Sequence, residues 1–587
     1  MMKFKNNNTF EPVVGASVEY LKSLGITEIE SFLYKPKPRD YESPWHLGNI
    51  DKLIDTLHED FEQNKHFFIQ VDSDTDGMTS AAIFYNYFTM LYPAAEIAYR
   101  IHDGKKHGVI VDTIPVDTDV VIIPDAGTNQ IEEQYAISES GRQVLIMDHH
   151  NADEELPLIP NVIIVNNQIS TYFNNKELSG AGVVFKVIQA YDERYGKKIL
   201  YKRFEDLAAL GIIADMMDVR TLDNNAIIMN GLSNIHNNLF KALLKKQEYH
   251  IQNIENPNKI DVAFYIAPLI NAVIRSGSVE EKTKFFEGFI NHGSEERIVT
   301  ISRGHEREET LFEYLARTAI NLKATQNRQK DKAMAALYDK IDKQHLADNK
   351  ILVVNTDGLN VPFNITGLAA MELNVKYNRP TLLLRPVEED GKTYYRGSGR
   401  AAKVEGFYDF QHTLLESGMM DYCQGHDNAF GASIEKTKVN DLVNWFNDKL
   451  SNVDFTPCSI VDCVIEEKTM NPLVLKEFGE MKNVFGNGIP QPKFYFNFTI
   501  GINDARIQGA NMDSLKISSK GVTFVMFKNK DLCNQWEKLQ EQIEQIGGRV
   551  RVEIIGRSEI NEWQGYKNVQ IMVDKIEMNW EEKLSLF

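Results

Sequence analysis

The sequence predicts an α/β protein: two α/β units joined by a long helix, followed by a C-terminal five-stranded β-barrel. Three observations carry this. Apolar runs alternate with helix-like stretches between 65 and 245, and again between 350 and 452. From 303 to 345 the chain is rich in Glu, Lys, Arg, Ala and Gln, with no Pro or Gly after Gly304, the composition of one long helix or two. From 455 onward, short β-type runs recur between turns. At 587 residues the chain exceeds what one core supports. The expected division is a lead-in over 1–45, a first α/β unit over 46–300, a connecting helix over 301–345, a second α/β unit over 346–452, the barrel over 453–580 and a tail over 581–587.

Taken in order, the lead-in ends in Lys35-Pro36-Lys37-Pro38, and a helix over 47–63 precedes the first strand. That strand, Phe67-Phe68-Ile69-Gln70-Val71, runs into Asp72-Ser73-Asp74-Thr75-Asp76-Gly77, and a helix-like stretch from Met78 to Leu91 follows. Alternating carboxylates at a strand tip can converge on a hard cation, and Gly77 allows the sharp turn away. A helix–loop–helix calcium site is the competing reading. It needs a preceding helix and a glutamate at the twelfth position, where Ile83 stands.

Three more apolar runs end in acidic residues. Val120–Ile123 leads to Asp125, Val144–Met147 to Asp148-His149-His150, and Leu207–Ile213 to Asp215. Four acidic strand tips in one α/β unit predict a metal site beyond the carboxyl edge of a sheet. Asn161–Asn167 adds a strand, and the small residues of Leu178-Ser179-Gly180-Ala181-Gly182-Val183 read as close helix packing. In the second unit, Ile351–Asn355 and Thr381–Leu384 read as strands. In the barrel the expected strands are Phe494–Ile500, Leu515–Ile517, Val522–Phe527, Val550–Ile555 and Val569–Val573, a spacing that suits the OB type.

The net charge of −19, from 64 basic and 83 acidic residues, argues against a surface coated with nucleic-acid contacts but leaves room for a local basic channel. The four cysteines make no CxxC pair, which suits reduced thiols in a cytoplasmic protein. No cationic apolar leader and no apolar run of about 18 residues is present, so neither export nor a membrane span is expected.

The acidic tips with the triplet Asp148-His149-His150 resemble the DHH phosphoesterase family, and within it the RecJ-type single-strand-specific 5′→3′ exonucleases. The first motif is similar to D-Y-D-A-D-G, the second to V-D-N-G and the fourth to A-L-G-T-V-A-D; 178–183 is similar to L-A-G-V-G-V. Pro268–Arg275 resembles G-P-R-L-N-A-A-G-R, with Leu269 in place of an arginine and Ile274 in place of a glycine. Gly397-Ser398-Gly399-Arg400 and Gln424-Gly425-His426 resemble elements of the DHHA1 domain, with Gln424 where glycine is usual. Ser558–Gly565 resembles a hairpin of the RecJ OB domain.

The resemblance implies DHH, DHHA1 and OB domains, and hydrolysis of single-stranded DNA by two Mn²⁺ or Mg²⁺ ions in recombination, repair or replication. The implied metal ligands are Asp72, Asp74, Asp76, Asp125, His149 and Asp215. His150 would touch the scissile phosphate or protonate the leaving oxygen, or only orient a ligand; Asp148 would fix an imidazole. Arg100, Asn271, Arg275, Ser398, Arg400 and His426 would grip strand phosphates, with added contacts from Lys105-Lys106-His107-Gly108. Phe494, Tyr495, Phe496 and Trp563 are candidate base stackers, of which at most about half can face the strand. A small-substrate DHH phosphodiesterase would lack the barrel, and an inactive DHH binding scaffold would have lost ligand aspartates; this chain keeps both. The tail Lys583-Leu584-Ser585-Leu586-Phe587 resembles the sliding-clamp pentapeptide Q-L-S-L-F, with Lys583 in place of glutamine. Leu584, Leu586 and Phe587 would be its anchors, or would fold back on the barrel. A single-strand-binding protein is a second expected partner, and a monomer the expected state.

Overall fold

A computed structural model describes residues 2–581 apart from 105, 153–154, 291–293, 303–304, 403, 405, 457 and 564, and without the side chains of 302, 305, 364, 426 and 563. Lys105, the side chains of His426 and Trp563, and the tail anchors Leu584, Leu586 and Phe587 therefore lie outside the described residues. The chain divides into two compact units, Met1–Arg317 with Ser459–Phe587, and Thr318–Cys458. No helix among the described residues is long and apolar enough to cross a membrane.

The first unit is built on a five-stranded parallel sheet in the order Ile97–Ile101, Phe67–Val71, Val120–Pro124, Gln143–Asp148, Val162–Asn166. Phe67–Val71 and Val120–Pro124 are buried along their whole length, which is why they read as continuous apolar runs. The chain leaves Phe67–Val71 for a neighbour on one side, then crosses back to Val120–Pro124 on the other. The two strands therefore flank the topological switch point, where the carboxyl ends of a doubly wound sheet open a crevice. The first two acidic motifs leave from these two strands.

The fourth motif is not a strand tip. Glu205–Ala214 is a helix, packed with Thr75–Leu91 and Gly180–Arg194, and Asp215 is its C-cap. The helix is buried on nearly every side, so the 3.6-residue period that separates helix from strand is absent from its apolar run.

The C-terminal segment forms a seven-stranded sheet of OB type rather than five strands. Its order is Cys463–Glu466, Phe494–Ile500, Arg549–Trp563, Tyr566–Glu581, Val522–Met526, Ser514–Ser519, Ala505–Gln508. The first and last were not expected, and the strands from 549 and 566 are far longer than predicted. The expected stackers are core residues: Phe494, Tyr495 and Phe496 are 0%, 5% and 0% exposed. Alternation fails here because both faces of their strand are covered. Phe496 meets Phe524 edge-on, while Phe494 packs against Phe10 and Phe478, and Tyr495 stacks on Phe4 at 4.1 Å.

Those partners show what the lead-in does. Phe4–Asn6 pairs in parallel with Ser459–Val461, Phe10 stacks on Phe478 at 4.8 Å, and the Tyr20 hydroxyl donates to the Pro490 carbonyl at 2.6 Å. The N-terminal residues are thus part of the barrel's outer packing.

Arg297–Ser302 and His305–Thr310, the second of them expected within the connecting helix, pair as antiparallel strands. Ile298, Val299, Thr300 and Ile301 favour strand. The helix Leu311–Lys343 starts where Thr310 and Glu313 exchange capping bonds: the Thr310 amide donates to Glu313 Oε2 at 2.9 Å, and the Glu313 amide to Thr310 Oγ1 at 3.2 Å.

The second unit carries a mixed sheet in the order Met420–His426, Ala429–Glu435, Lys392–Arg400, Thr381–Glu389, Leu352–Asn355, parallel only between its last two strands. Leu382, Leu384, Phe410, Phe430 and Phe446 form one side of its core.

The lead-in packing predicts that Phe10→Ala costs roughly 3–5 kcal/mol. Urea unfolding followed by circular dichroism should show an earlier transition; an unchanged transition would mean that the N-terminal residues do not hold the barrel.

Candidate metal centre

Five carboxylates and one imidazole converge at the switch point. Asp125, Asp76 and Asp72 are each 2% exposed, and His149 is 8% exposed. His149 Nε2 lies 3.2 Å from Asp125 Oδ1, 3.5 Å from Asp215 Oδ2 and 3.9 Å from Asp76 Oδ2. Two donor sets result: Asp76, His149 and Asp215, and beside them Asp72, Asp74 and Asp125. A third grouping, Asp125 with His149 and His150, ties the sets together.

Each group is placed by backbone. Asp74 caps the helix Thr75–Leu91, accepting from the Gly77 amide at 2.9 Å. Asp72 is oriented by the loop that follows the edge strand: Gly108 N donates to Oδ1 at 2.9 Å and His107 Nδ1 lies 2.7 Å from Oδ2. Asp76 lies on the N-terminus of the helix Gly180–Arg194. It accepts from Gly180 N at 2.7 Å, from Ala181 N at 3.1 Å and from Ser179 Oγ at 2.9 Å, so the helix end compensates its charge. The small residues 178–183 are therefore more than packing. A Cβ on Gly180 would stand 2.3 Å from Asp125 Oδ1, and one on Gly211 2.3 Å from Asp76 Oδ1. Only glycine lets the two helices bring these carboxylates together.

Asp125 adopts φ 66°, a left-handed conformation that aspartate tolerates, and its buried Oδ1 has no hydrogen-bond partner. Burial pushes its pKa well up, and Asp76, Asp74, Asp72 and Asp215 add to the shift. The same causes, burial first and then neighbouring carboxylates, raise Asp215 to about 8 and Asp74 to about 6. Carboxylates packed like this call for a counter-charge. An orphaned buried oxygen in an oxygen-rich set with one imidazole fits small divalent cations of the Mg²⁺ or Mn²⁺ type.

His149 also hydrogen-bonds the Leu178 backbone, and its burial depresses its pKa, so Nε2 can face the carboxylates as a neutral donor. Asp148 points away from this cluster. Its Oδ1 accepts from the amides of His149 at 2.7 Å and His150 at 3.2 Å, and lies 2.8 Å from His150 Nδ1; Oδ2 accepts from Thr128 N at 3.0 Å. Although burial pushes the other way, these bonds and the His150 charge hold Asp148 below the usual carboxylate range. The bond to Asp148 in turn lifts half-exposed His150 to about 9, against the opposing effect of burial.

The expected phosphate contacts fall into three groups. Asn271 and Arg275, on the helix Ala267–Ser276, reach the first motif: Thr75 Oγ1 donates to Asn271 Oδ1 at 3.1 Å, and Arg275 interacts electrostatically with Asp74. Arg100 lies on the edge strand opposite Gln70, beside His102. Ser398 and Arg400 lie on the second unit, where Ser398 Oγ is 3.4 Å from Thr366 Oγ1 and Arg400 lies beside Gly367, at the start of the helix Thr366–Tyr377; His426 is on the edge strand of the same sheet, with Ala429–Glu435 between. Sequence reasoning missed the cradle of Ser179, Gly180 and Ala181 and the Thr128 amide. A serine followed by small residues at a helix start was the available signal for the first; the second, a backbone contact, had none.

This fold has known counterparts. The signature of the DHH family, N-terminal domain, matches residues 66–212, and that of the RecJ OB domain matches 461–575. The chain belongs to the RecJ family of DHH proteins. A candidate single-strand DNA-specific exonuclease of the SPbeta prophage of Bacillus subtilis (strain 168), YorK, is 34% identical over 583 residues, covering 98% of this chain and 97% of its own. The single-stranded-DNA-specific exonuclease RecJ of B. subtilis is 25% identical over 572 residues, covering 95% and 67%. The crystal structure of Thermus thermophilus RecJ in complex with Mn²⁺ matches with a TM-score of 0.67 at 20% identity, over 92% of this chain and 72% of that one. The corresponding Mg²⁺ complex matches with a TM-score of 0.65 at 19% identity, over 95% and 74%.

Two outcomes follow from the electrostatics. In the metal-free protein, the His150 ring signals should titrate near 9, staying protonated through neutral pH, and Asp148→Asn should move the midpoint down toward or below 6.5; NMR titration reads both. Mn²⁺ binding at pH 7 should expel about one or two protons, because the carboxyls of Asp125 and Asp215 titrate above the usual range. Calorimetry in buffers of different ionisation enthalpy measures this. Heat independent of buffer would contradict the protonated cluster, and Asp215→Asn should reduce the release.

Proposed function

We propose that the protein is a metal-dependent exonuclease that hydrolyses single-stranded DNA from its 5′ end by a two-metal mechanism. The observation that carries this reading is the convergence of Asp76, Asp125 and Asp215 on His149 Nε2, beside a buried Asp125 Oδ1 that has no hydrogen-bond partner. The named activity of the relatives that match along nearly the whole chain supports the substrate, and the resemblance to RecJ supports the polarity. The matched OB domain argues against a small-substrate phosphodiesterase, and the complete acidic set against an inactive scaffold.

Two divalent ions, when bound, supply a water of lowered pKa and neutralise charge on the phosphate. Asp76, His149 and Asp215 would hold one, and Asp72, Asp74 and Asp125 the other. The loop at 107–108 orients Asp72, whose oxygens each keep a lone pair for a cation. His150 is protonated, half exposed and oriented by Asp148, so it can donate a proton or a hydrogen bond to the leaving oxygen. Arg275 and Asn271 approach the same motif and would orient the phosphate.

Asp125→Asn, Asp76→Ala and Asp215→Ala should each abolish hydrolysis while circular dichroism stays native. EDTA should stop the wild-type protein and Mn²⁺ restore it. Strands labelled at either end, as DNA and as RNA, report polarity and sugar preference. Full activity of Asp125→Asn would sink the assignment.

A further inference from the structure

The helix Glu205–Ala214, which Asp215 terminates, carries a second cavity at its other end. It has 10 residues, so Glu205 stands about 15 Å along the axis from Asp215 and the metal centre. The cavity measures ≈ 1110 Å³, just above the usual size of small-molecule sites, about 300–1,000 Å³. Its walls come mainly from 35–41 of the lead-in, from 197–205 and from 230–236. Three of its residues form a hydrogen-bonded chain: Asn230 Nδ2 donates to the Tyr41 hydroxyl, which donates to Glu205 Oε1. Glu205 is only 8% exposed, and its Oε2 accepts no hydrogen bond among the described residues. Burial lifts its pKa to about 7, against the pull of Tyr41, Lys186 and Lys202. A largely buried carboxyl oxygen that faces a cavity without a donor is costly to the protein and suited to a ligand N–H.

The rim carries the opposite chemistry. Lys35, Lys197, Lys202, Arg203 and His236 surround the cavity, and Glu205 is the one carboxylate among the described residues that line it. Lys35, Lys197 and Arg203 make no ion pair with another described residue, whereas Lys37 and Arg39, just outside, pair with Glu30 and Glu28. The cations are close enough to act on one another: after burial, Arg203 and Lys241 depress the His236 pKa. In a protein of net charge −19, cations left unneutralised around one pocket form a local anion site. Ile199, 70% exposed on the same rim, and Pro36 and Pro38 add an apolar wall. A buried acceptor, an apolar wall and a ring of cations are complementary to the N–H edge, the flat face and the phosphates of a nucleotide.

We propose that this cavity is a second ligand site, for a nucleoside polyphosphate, in which Glu205 Oε2 accepts from a base N–H while Lys197, Lys202 and Arg203 hold the phosphates. The proposal does not depend on the exonuclease reading, and its test involves no hydrolysis. The probes are GTP, ATP and inorganic triphosphate, titrated calorimetrically into the full-length protein in EDTA, which keeps divalent ions out of the metal centre. The tighter of the two nucleotides should bind at least about tenfold more strongly than triphosphate, because only it offers a base. Lys202→Gln/Arg203→Gln, on the exposed rim, should weaken nucleotide and triphosphate alike by about tenfold or more. Glu205→Gln should weaken the nucleotide about tenfold without weakening triphosphate, with circular dichroism checking its fold. Asp125→Asn should bind the nucleotide as the wild-type protein does. Nucleotide binding that is no tighter than triphosphate binding, is unchanged in the rim variant, or is lost in Asp125→Asn overturns the site. Displacement of the bound nucleotide by a single-stranded oligothymidylate of 20 nucleotides would assign the pocket to nucleic acid and overturn it equally.

Discussion

Mutual repulsion among five carboxylates is the constraint on which the rest of the first unit depends. Asp72, Asp74 and Asp125 come within ligand distance of one another, as do Asp76 and Asp215 with His149, in a largely dry space. The protein holds the geometry with backbone amides: Gly108 on Asp72, Gly77 on Asp74, and Gly180 and Ala181 on Asp76. Amide dipoles cannot leave as a lysine might, and they keep the cluster set for a cation in its absence. The glycines at 180 and 211 follow from the same need, since any side chain there would occupy the place of a carboxylate oxygen.

The triplet Asp148-His149-His150 divides its labour by direction. His149 turns into the cluster and is held neutral by burial, while His150 turns toward solvent and is held charged by Asp148. Two adjacent imidazoles thus take opposite protonation states at neutral pH. The cause is that one faces a crowded interior and the other a buried carboxylate whose second oxygen is occupied by Thr128. A neutral and a charged imidazole share one strand end.

The barrel is an integral part of the first unit rather than an appended module. Lys259, fully buried, donates to the carbonyls of Asn483 and Val484 at 3.1 and 3.3 Å and to Asn225 Oδ1 at 2.9 Å, and the lead-in supplies a strand and three aromatic rings, Phe4, Phe10 and Tyr20, to the barrel's outer face. Burial pulls the Lys259 pKa down to about 7. Removing the C-terminal segment would strip the partners from this ammonium and expose Phe10 and Tyr20. Metal centre and barrel therefore share one packed body.

The sequence by itself determined the acidic motifs, the parallel order of α/β elements, the family and the residue types that could hold a metal. These are local signals: an apolar run, a turn former and a carboxylate lie within ten residues of one another, and the physics that links them acts at that range. Only the tertiary structure decided that Leu207–Ile213 is helical, because an element buried on all sides shows no period. It alone decided that Phe494, Tyr495 and Phe496 are core, because the segment covering their outer face lies more than 480 residues earlier in the chain. It also turned Gly180 and Ala181 from packing residues into the cradle of Asp76, since a backbone amide carries no trace in the sequence of what it will hold.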